Sequence, residues 1–327
     1  MNQITDNISN KNIQADEKLP SINVMSKELS ISRDTVEKAY RELQKQKIVI
    51  SIAGKGNYIC VSKIKKKFNV LYLINKLSTY KMDVFNAFKA AVGEKYQTDY
   101  HIYHCDDTLF LNLLNLNKNV YDYYVIMPHF KDNNEAYLDF TEEVFSAINL
   151  IPKEKLILLD NNEMAIEGNI IEIYQDFEDD IYKALKNELV KIRKYDTFIL
   201  IVPEHSLYPY PKGILKGFKK FCTELEMPYE ILTAFSESTP LNKKDLFMVI
   251  EELDLICLIG QAKKQKLKLG KHIGVIAFNE TPFKQLLNIA VISTDFQQMG
   301  ETAAEMILEK RTGKVKNPFN FIIRKSI

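Results

Sequence analysis

The sequence predicts a multidomain chain in which a small α+β module, a helix-turn-helix followed by a β-hairpin, precedes a larger two-lobed α/β module with parallel, doubly wound sheets. Three observations predict it. With 327 residues the chain is about twice the commonest domain size, so two or three cores are expected. Its charge is segregated: residues 1–67 hold 13 Lys/Arg against 7 Asp/Glu, and the remaining 260 hold 31 against 36. That is the pattern of a small module meeting a polyanion beside a larger one with a different task. Finally, the apolar period shifts from helical to alternating within residues 19–61, then becomes short apolar runs separated by helical stretches from Phe68 onward.

Composition narrows the class. Hydrophobic residues make up 46% and charged residues 27%, with only 11 Gly and 10 Pro, which excludes disordered and fibrous architectures. The N-terminus lacks a basic stretch followed by an apolar run, and no segment approaches 18 apolar residues, so a cytoplasmic protein with no membrane partner is expected. Cys60, Cys105, Cys222 and Cys257 are far apart without a CxxC pair and are read as reduced thiols, mostly buried.

In the N-terminal module Ser21 caps a helix of about Ile22 to Leu29. Ser32 caps a second, whose Val36, Ala39, Tyr40 and Leu43 fall at i, i+3, i+4 and i+7. Alternation over Ile48, Ile50 and Ile52, a pause at Ala53-Gly54-Lys55-Gly56, and a resumption at Tyr58, Ile59 and Val61 predict a hairpin. Arg33, at the start of the second helix, is the candidate for base readout. Lys55, between two glycines at the hairpin tip, can approach a phosphate or the minor groove. Taken singly, a capped surface helix and an ordinary turn would explain these features.

The ordered string Leu19-Pro20-Ser21, Ser32-Arg33, Thr35-Val36, Ala39, Leu43 and Gly54-Lys55-Gly56 resembles the GntR-type winged helix-turn-helix over about 45 residues. The resemblance implies that Ser32, Arg33, Thr35, Lys55 and Gly56 touch double-stranded operator DNA, with Ser21 at a phosphate. The family's first helix must then fit within residues 3 to 14. Lys63 to Lys67 reads as a basic, solvated linker.

Beyond Phe68, strands are expected at 69–74, 100–103, 123–127, 156–159, 170–174, 197–202, 229–233, 255–259 and 272–277, with helices such as 83–96, 177–194 and 215–225 between them. This is too many strands for one sheet and suits two lobes with a ligand cleft between them. The run from His272 to Glu280, then Val291 to Phe296 and Met299-Gly300-Glu301-Thr302-Ala303-Ala304, resembles the effector domain of LacI/GalR repressors, which is periplasmic-binding-protein-like. Gly217-Phe218 and Ile173 to Asp176 support it. On this resemblance Asn279 stands where the family has a sugar-bonding Asp. The family's Arg three residues before Gly-aromatic is replaced by Ile214, and its Asn-Asp by Gly260-Gln261 after a strand at Leu255 to Ile259. Strand ends supply further ligand candidates: Ser78, Tyr80, His129, Phe130, Asp160 with Asn161, Glu204, Tyr208, Lys212 and Gln261.

The expected division is a DNA-binding domain at 1–62, a linker at 63–68 and an effector domain at 69–327. Its N-lobe comprises about 69–175 plus 296–316, its C-lobe about 177–292 plus 318–327. Together these resemblances imply a homodimeric, sugar-responsive regulator like the arabinose-repressor-like type, a repressor of carbohydrate use rather than an enzyme, binding a monosaccharide and requiring no cofactor. Three other readings compete with this one. His101, His104 and Cys105 invite a metal, but residues three apart on a strand face opposite sides. A pyridoxal-phosphate aminotransferase-like second domain usually needs more length. A sensor of non-sugar type, or a partner-binding module, is the binding-class rival.

Overall fold

The computed structural model describes residues 18–45, 48–52, 54–59, 67–131, 137–138, 140–161, 164–203, 208 and 210–327. The expected helix within 3–14, the linker lysines 63–66 and Glu204 lie outside the described residues. The chain divides into two compact units, Met1–Phe68 and Asn69–Ile327.

In the first unit α1 (Ile22–Glu28) and α2 (Arg33–Lys45) precede the antiparallel hairpin β1 (Val49–Ile52) and β2 (Gly56–Ile59). Ser21 Oγ accepts from the Val24 N–H and Ser32 Oγ from the Thr35 N–H, so each helix starts where a short hydroxyl side chain satisfies an orphan donor. Lys18 adds a bridge to Tyr58 at the edge of the hairpin. Leu19, Met25, Val36, Tyr40, Leu43, Val49 and Ile59 form one core. The Tyr40 hydroxyl donates to the Pro20 carbonyl at 2.8 Å, pinning the Leu-Pro-Ser segment onto α2; burial, with Glu28 adding, raises its pKa to about 12.

The second unit begins with β3 (Phe68–Ile74), α3 (Thr79–Val92), β4 (Tyr96–Ile102), α4 (Asp107–Leu116) and β5 (Tyr123–Ile126). The short pair β6 (Phe130–Lys131) and β7 (Tyr137–Leu138), α5 (Glu142–Asn149), β8 (Leu156–Asn161) and β9 (Ile171–Gln175) follow. The chain then enters a second lobe with α6 (Phe177–Asn187), α7 (Leu189–Ile192), β10 (Thr197–Ile201), α8 (Lys212–Glu224), β11 (Tyr229–Leu232), β12 (Asp245–Val249), α9 (Glu252–Lys264), β13 (Gly274–Phe278), α10 (Pro282–Leu286) and β14 (Ala290–Thr294). Three elements remain: α11 (Phe296–Leu308), β15 (Gly313–Lys316) and β16 (Phe319–Ile322).

Two six-stranded sheets result, in the orders β15-β9-β8-β5-β3-β4 and β11-β10-β12-β13-β14-β16. In the second sheet only β16 runs antiparallel to its neighbour. Strand alternation explains why each sheet is buried on both faces. Val70, Tyr72 and Ile74 enter the core under α3 and α11, while Leu71 and Leu73 enter the core on the opposite face. Phe198 and Leu200 divide from Ile199 and Ile201 in the same way in the other lobe.

The chain passes between the lobes three times, at Asp176, Asp295 and Asn317. Side-chain amides tie these passages together: Thr294 Oγ1 donates to Gln175 Oε1 at 2.9 Å, Gln175 Nε2 to the Asn317 carbonyl at 3.1 Å, and Asn317 Nδ2 to the Asp295 carbonyl at 3.0 Å. The passages are therefore held without any sheet running through them.

One expected strand is a helix. Leu255 to Ile259 lies inside α9, and the strand beside β10 is instead Asp245–Val249, buried along its whole length. A continuous apolar run cannot by itself distinguish a buried strand from a helix face. Here Leu255, Leu258, Ile259 and Ala262 turn inward at helical spacing while Leu253 and Ile256 are exposed. Of the cysteines, Cys105 and Cys222 are buried and Cys257 is exposed, all three free.

Candidate functional site

At the start of α2 Ser32 and Thr35 hydroxyls lie 2.7 Å apart, closing the cap and leaving Arg33 exposed beside it. Among the described residues Arg33 enters no ion pair, whereas Arg41 is engaged by Glu37 at 2.6 Å one turn on. The hairpin tip holds Gly54 and Gly56 at φ +74° and +106°, in the left-handed region, so Lys55 projects from a turn that other residues adopt only with strain. Ser21 is engaged in capping α1. These six residues therefore sit at the opening of α2, at the hairpin tip and at the start of α1.

In the second unit the lobes face each other across a cleft at the carboxyl ends of their parallel strands, where open α/β sheets take ligands. Its inner part is lined by Asn75, Lys81, His129, Asp160, Asn279 and Phe296, among others. An adjoining outer cavity of about 340 Å³ is lined by Lys76, Ser78, Tyr80, Tyr208, Glu251 and Asn279, among others.

The floor is a buried charge cluster. Asp160 Oδ2 lies 2.6 Å from Lys81 Nζ and 2.7 Å from His129 Nε2. Each element contributes for a local reason. Asp160, next to the last residue of β8, has φ 87°; Lys81 sits in the first turn of α3, whose cap is Ser78; and His129 is fixed by Tyr103, whose hydroxyl donates to the Met127 carbonyl at 2.5 Å and accepts from the His129 N–H at 2.8 Å. Burial opposes ionisation of Asp160, but Lys81 and His129 outweigh it and hold its carboxyl far below the usual range. Burial, reinforced by Lys81, lowers the pKa of His129 and keeps the ring neutral.

The opposite wall is Asn279. Its backbone is fixed on both sides: the N–H donates to the Ile292 carbonyl at 2.8 Å, and the carbonyl accepts from Lys284 Nζ at 2.9 Å. The side chain is 8% exposed and its Oδ1 has no partner, as is also true of Asn75 Oδ1 across the inner cleft. A buried amide oxygen without a donor costs about 1–3 kcal/mol, so both acceptors call for a ligand that brings hydroxyl or N–H groups. Tyr80 stacks on Phe296 with centroids 5.0 Å apart, giving an apolar face between the polar walls.

The structure brings Ser78, Tyr80, His129, Asp160, Tyr208 and Asn279 together in the cleft. Three other ligand candidates go elsewhere. Phe130 is fully buried against Tyr103 and Phe110 in the core, because the residue after His129 turns to the opposite side of the chain. Gln261 is on α9, where its Nε2 donates to the Thr239 carbonyl at 2.8 Å, a consequence of the strand that is a helix. Lys212 is exposed at the start of α8 and lines neither part of the cleft. Sequence reasoning missed Lys76 and Lys81, which neighbour Ser78 and Tyr80, and Phe177 and Phe296. The repeated Asp-Phe at the first two passages, 176–177 and 295–296, was the available signal: each Asp caps the next helix and each Phe faces the cleft.

Among the described residues no three His, Cys, Asp or Glu side chains converge as a metal site, and no helix is long and apolar enough to cross a membrane.

Residues 1–59 match the family model of bacterial regulatory proteins, gntR family. No curated protein matches the chain. Among solved structures it is similar to a LacI family transcriptional regulator from Lactobacillus casei with bound glucose, with TM-score 0.61 and 13% identity over 79% of this chain and 99% of that one. It is also similar to the trehalose repressor from Escherichia coli, with TM-score 0.61 and 14% identity over 78% and 99%. A LacI family transcriptional regulator from Silicibacter pomeroyi gives TM-score 0.61 and 13% identity over 79% and 98%. At such identities the likeness establishes the fold. The chain joins a GntR-family helix-turn-helix domain to a two-lobed α/β unit of LacI-type, periplasmic-binding-protein-like fold.

Proposed function

We propose that this chain, a GntR-family reader joined to a unit of LacI-type fold, is a transcriptional regulator whose affinity for operator DNA changes when a monosaccharide binds between the lobes. One observation carries the reading: the cleft holds an ionised Asp160 and two buried, unpartnered amide oxygens beside an aromatic face, a set that suits the hydroxyls and apolar face of a sugar ring. Glucose bound to the Lactobacillus casei regulator of the same fold supports it. The ligand contacts assigned are Asp160, His129, Asn279, Tyr80, Ser78 and Tyr208.

The regulator acts in the cytoplasm as a homodimer, each α2 entering one half of a near-palindromic site, in the manner of helix-turn-helix dimers. A sugar that closes the cleft changes the spacing of the two readers. The switch is bounded by the ligand's differential affinity for the two states: going from 1:99 to 99:1 requires about 5.5 kcal/mol.

The test is a gel shift with the DNA upstream of its own gene, repeated across a panel of monosaccharides, alongside thermal unfolding. A ligand at 100 times its dissociation constant adds about 2.7 kcal/mol and raises the midpoint. A sugar that both raises the midpoint and alters the shift supports the reading; DNA binding indifferent to every stabilising ligand sinks it. In the same assay Arg33→Ala is expected to weaken operator binding by about 1–3 kcal/mol and relax base preference, with ligand binding unchanged. Full retention of operator affinity would remove Arg33 from the base-reading role.

A further inference from the structure

Lys76, which follows Asn75 at the end of β3, lines both parts of the cleft, and the sugar reading gives it no task. Its ammonium lies 5.2, 5.3 and 5.9 Å from the ring centroids of Tyr210, Tyr208 and Tyr80. Tyrosine faces hold a cation in place but offer its N–H groups no conventional acceptor. The other two lysines of the cleft are engaged: Lys81 by Asp160, Lys284 by the Phe278 and Asn279 carbonyls at 2.7 and 2.9 Å. Glu251, the carboxylate with the largest influence on Lys76, accepts from the Tyr210 hydroxyl at 2.9 Å. Among the described residues Lys76 makes no hydrogen bond or ion pair, and burial lowers its pKa, as for a cation that has lost water without gaining an anion.

Two carboxylates share the outer cavity, Glu251, engaged by Tyr210, and Glu252, 3.7 Å from Lys284, and the remaining groups around the ammonium favour negative charge. Ser78 and Thr79 open α3, a helix of 14 residues with no acid in its first turn, and both line the outer cavity. The N–H groups of Thr79 and Tyr80 have no acceptor within the helix. Independently of the helix end, Asn279 Oδ1, 8% exposed and unpartnered, bounds the same cavity and requires a donor from the ligand. The cleft thus has two chemically distinct parts: within, unpartnered acceptors beside the paired Lys81 and Asp160; without, a cation that lacks an anion, helix N–H groups and two carboxylates already engaged.

We propose that the effector is an anionic sugar, a phosphate ester or a sugar acid. Its charged group sits on Lys76 and the first turn of α3, while its hydroxyls meet Asp160, Asn75 and Asn279. This rests on the sugar reading of the cleft and narrows it.

The test uses the full chain and matched ligands: glucose, glucose 6-phosphate, gluconate and glucosamine, the ribose series, and inorganic phosphate, measured by thermal unfolding and titration calorimetry. An anionic sugar is expected to bind at least ten-fold more tightly than its neutral counterpart, and the phosphate and carboxylate arms identify which group is read. K76Q should reduce that preference to less than threefold with the unliganded midpoint unchanged, and K76R should restore it. Equal or tighter binding of the neutral or amino sugar, or a preference undiminished in K76Q, overturns the anionic assignment and leaves the sugar reading intact. Binding of no sugar by a chain that still binds its DNA overturns both.

Discussion

Replacing Asp160 with alanine is expected to destabilise the second unit by about 3–5 kcal/mol, because it leaves the Lys81 ammonium, with its side chain 5% exposed, buried without a counter-charge. Chemical denaturation at pH 7.5 measures it. K81M/D160L, which removes both charges, should recover most of the loss; if the double variant is as unstable as D160A, packing rather than charge is the cause. The cluster also sets the acid response. His129 has a folded pKa below its usual 6.5, so as pH falls below about 6.5 the unfolded chain binds a proton that the folded chain resists, and stability declines. Asp160 has a folded pKa below its usual 3.8; its contribution is complete above that value and is lost as pH falls further toward the folded pKa. Stability should therefore decrease in two stages on acidification, and H129Q should remove the first. An unchanged slope near pH 6 in H129Q would show that another group is responsible.

Gly300→Val should be comparably damaging, at about 3 kcal/mol or more. A Cβ at Gly300 would lie 2.3 Å from the Val84 carbonyl oxygen and 2.8 Å from the Phe88 nitrogen, both backbone atoms of α3, which cannot yield as a side chain does. The same device operates in the other lobe, where a Cβ at Gly217 on α8 would lie 2.4 Å from the Glu178 carbonyl oxygen of α6. Gly260, half-buried on α9, meets nothing within 4 Å, and Gly260→Ala should stabilise by roughly 0.5–1 kcal/mol. Thermal midpoints of the two variants test the contrast. A G300V midpoint within two degrees of the parent would mean that the two helices separate without cost.

These glycines show why parts of the chain were legible. Met299-Gly300 and Gly217-Phe218 stand out in the sequence because two helix backbones touch there, a requirement that only one residue type meets. The reader was legible for a similar reason: caps, turn glycines and apolar spacing within residues 19–59 all serve one local structure. The strand β12 was missed because Leu246–Ile250 and Leu255–Ile259 are both continuous apolar runs, and sheet pairing rather than local pattern decides between them. Half of the cleft was legible, Asp160 and His129 from strand ends and Asn279 from the resemblance of its flanking motif. Lys76 and Lys81 were not, because a lysine in sequence carries no mark of the three rings or the carboxylate that will surround it.

The passages at Asp176, Asp295 and Asn317 also set a timetable. The N-lobe needs α11 to cover its sheet and β15 as its edge, and the C-lobe needs β16 as its edge, so both lobes wait for the final stretch of the chain to emerge during synthesis. Among the described residues the core of the reader runs from Leu19 to Ile59, all of it made early in synthesis. On the function proposed above, and at roughly 5–20 residues per second, a nascent chain therefore spends tens of seconds with a finished DNA-reading domain before the ligand cleft is complete. Where translation proceeds close to its own gene, that interval gives the newborn chain a first, uncontrolled encounter with DNA.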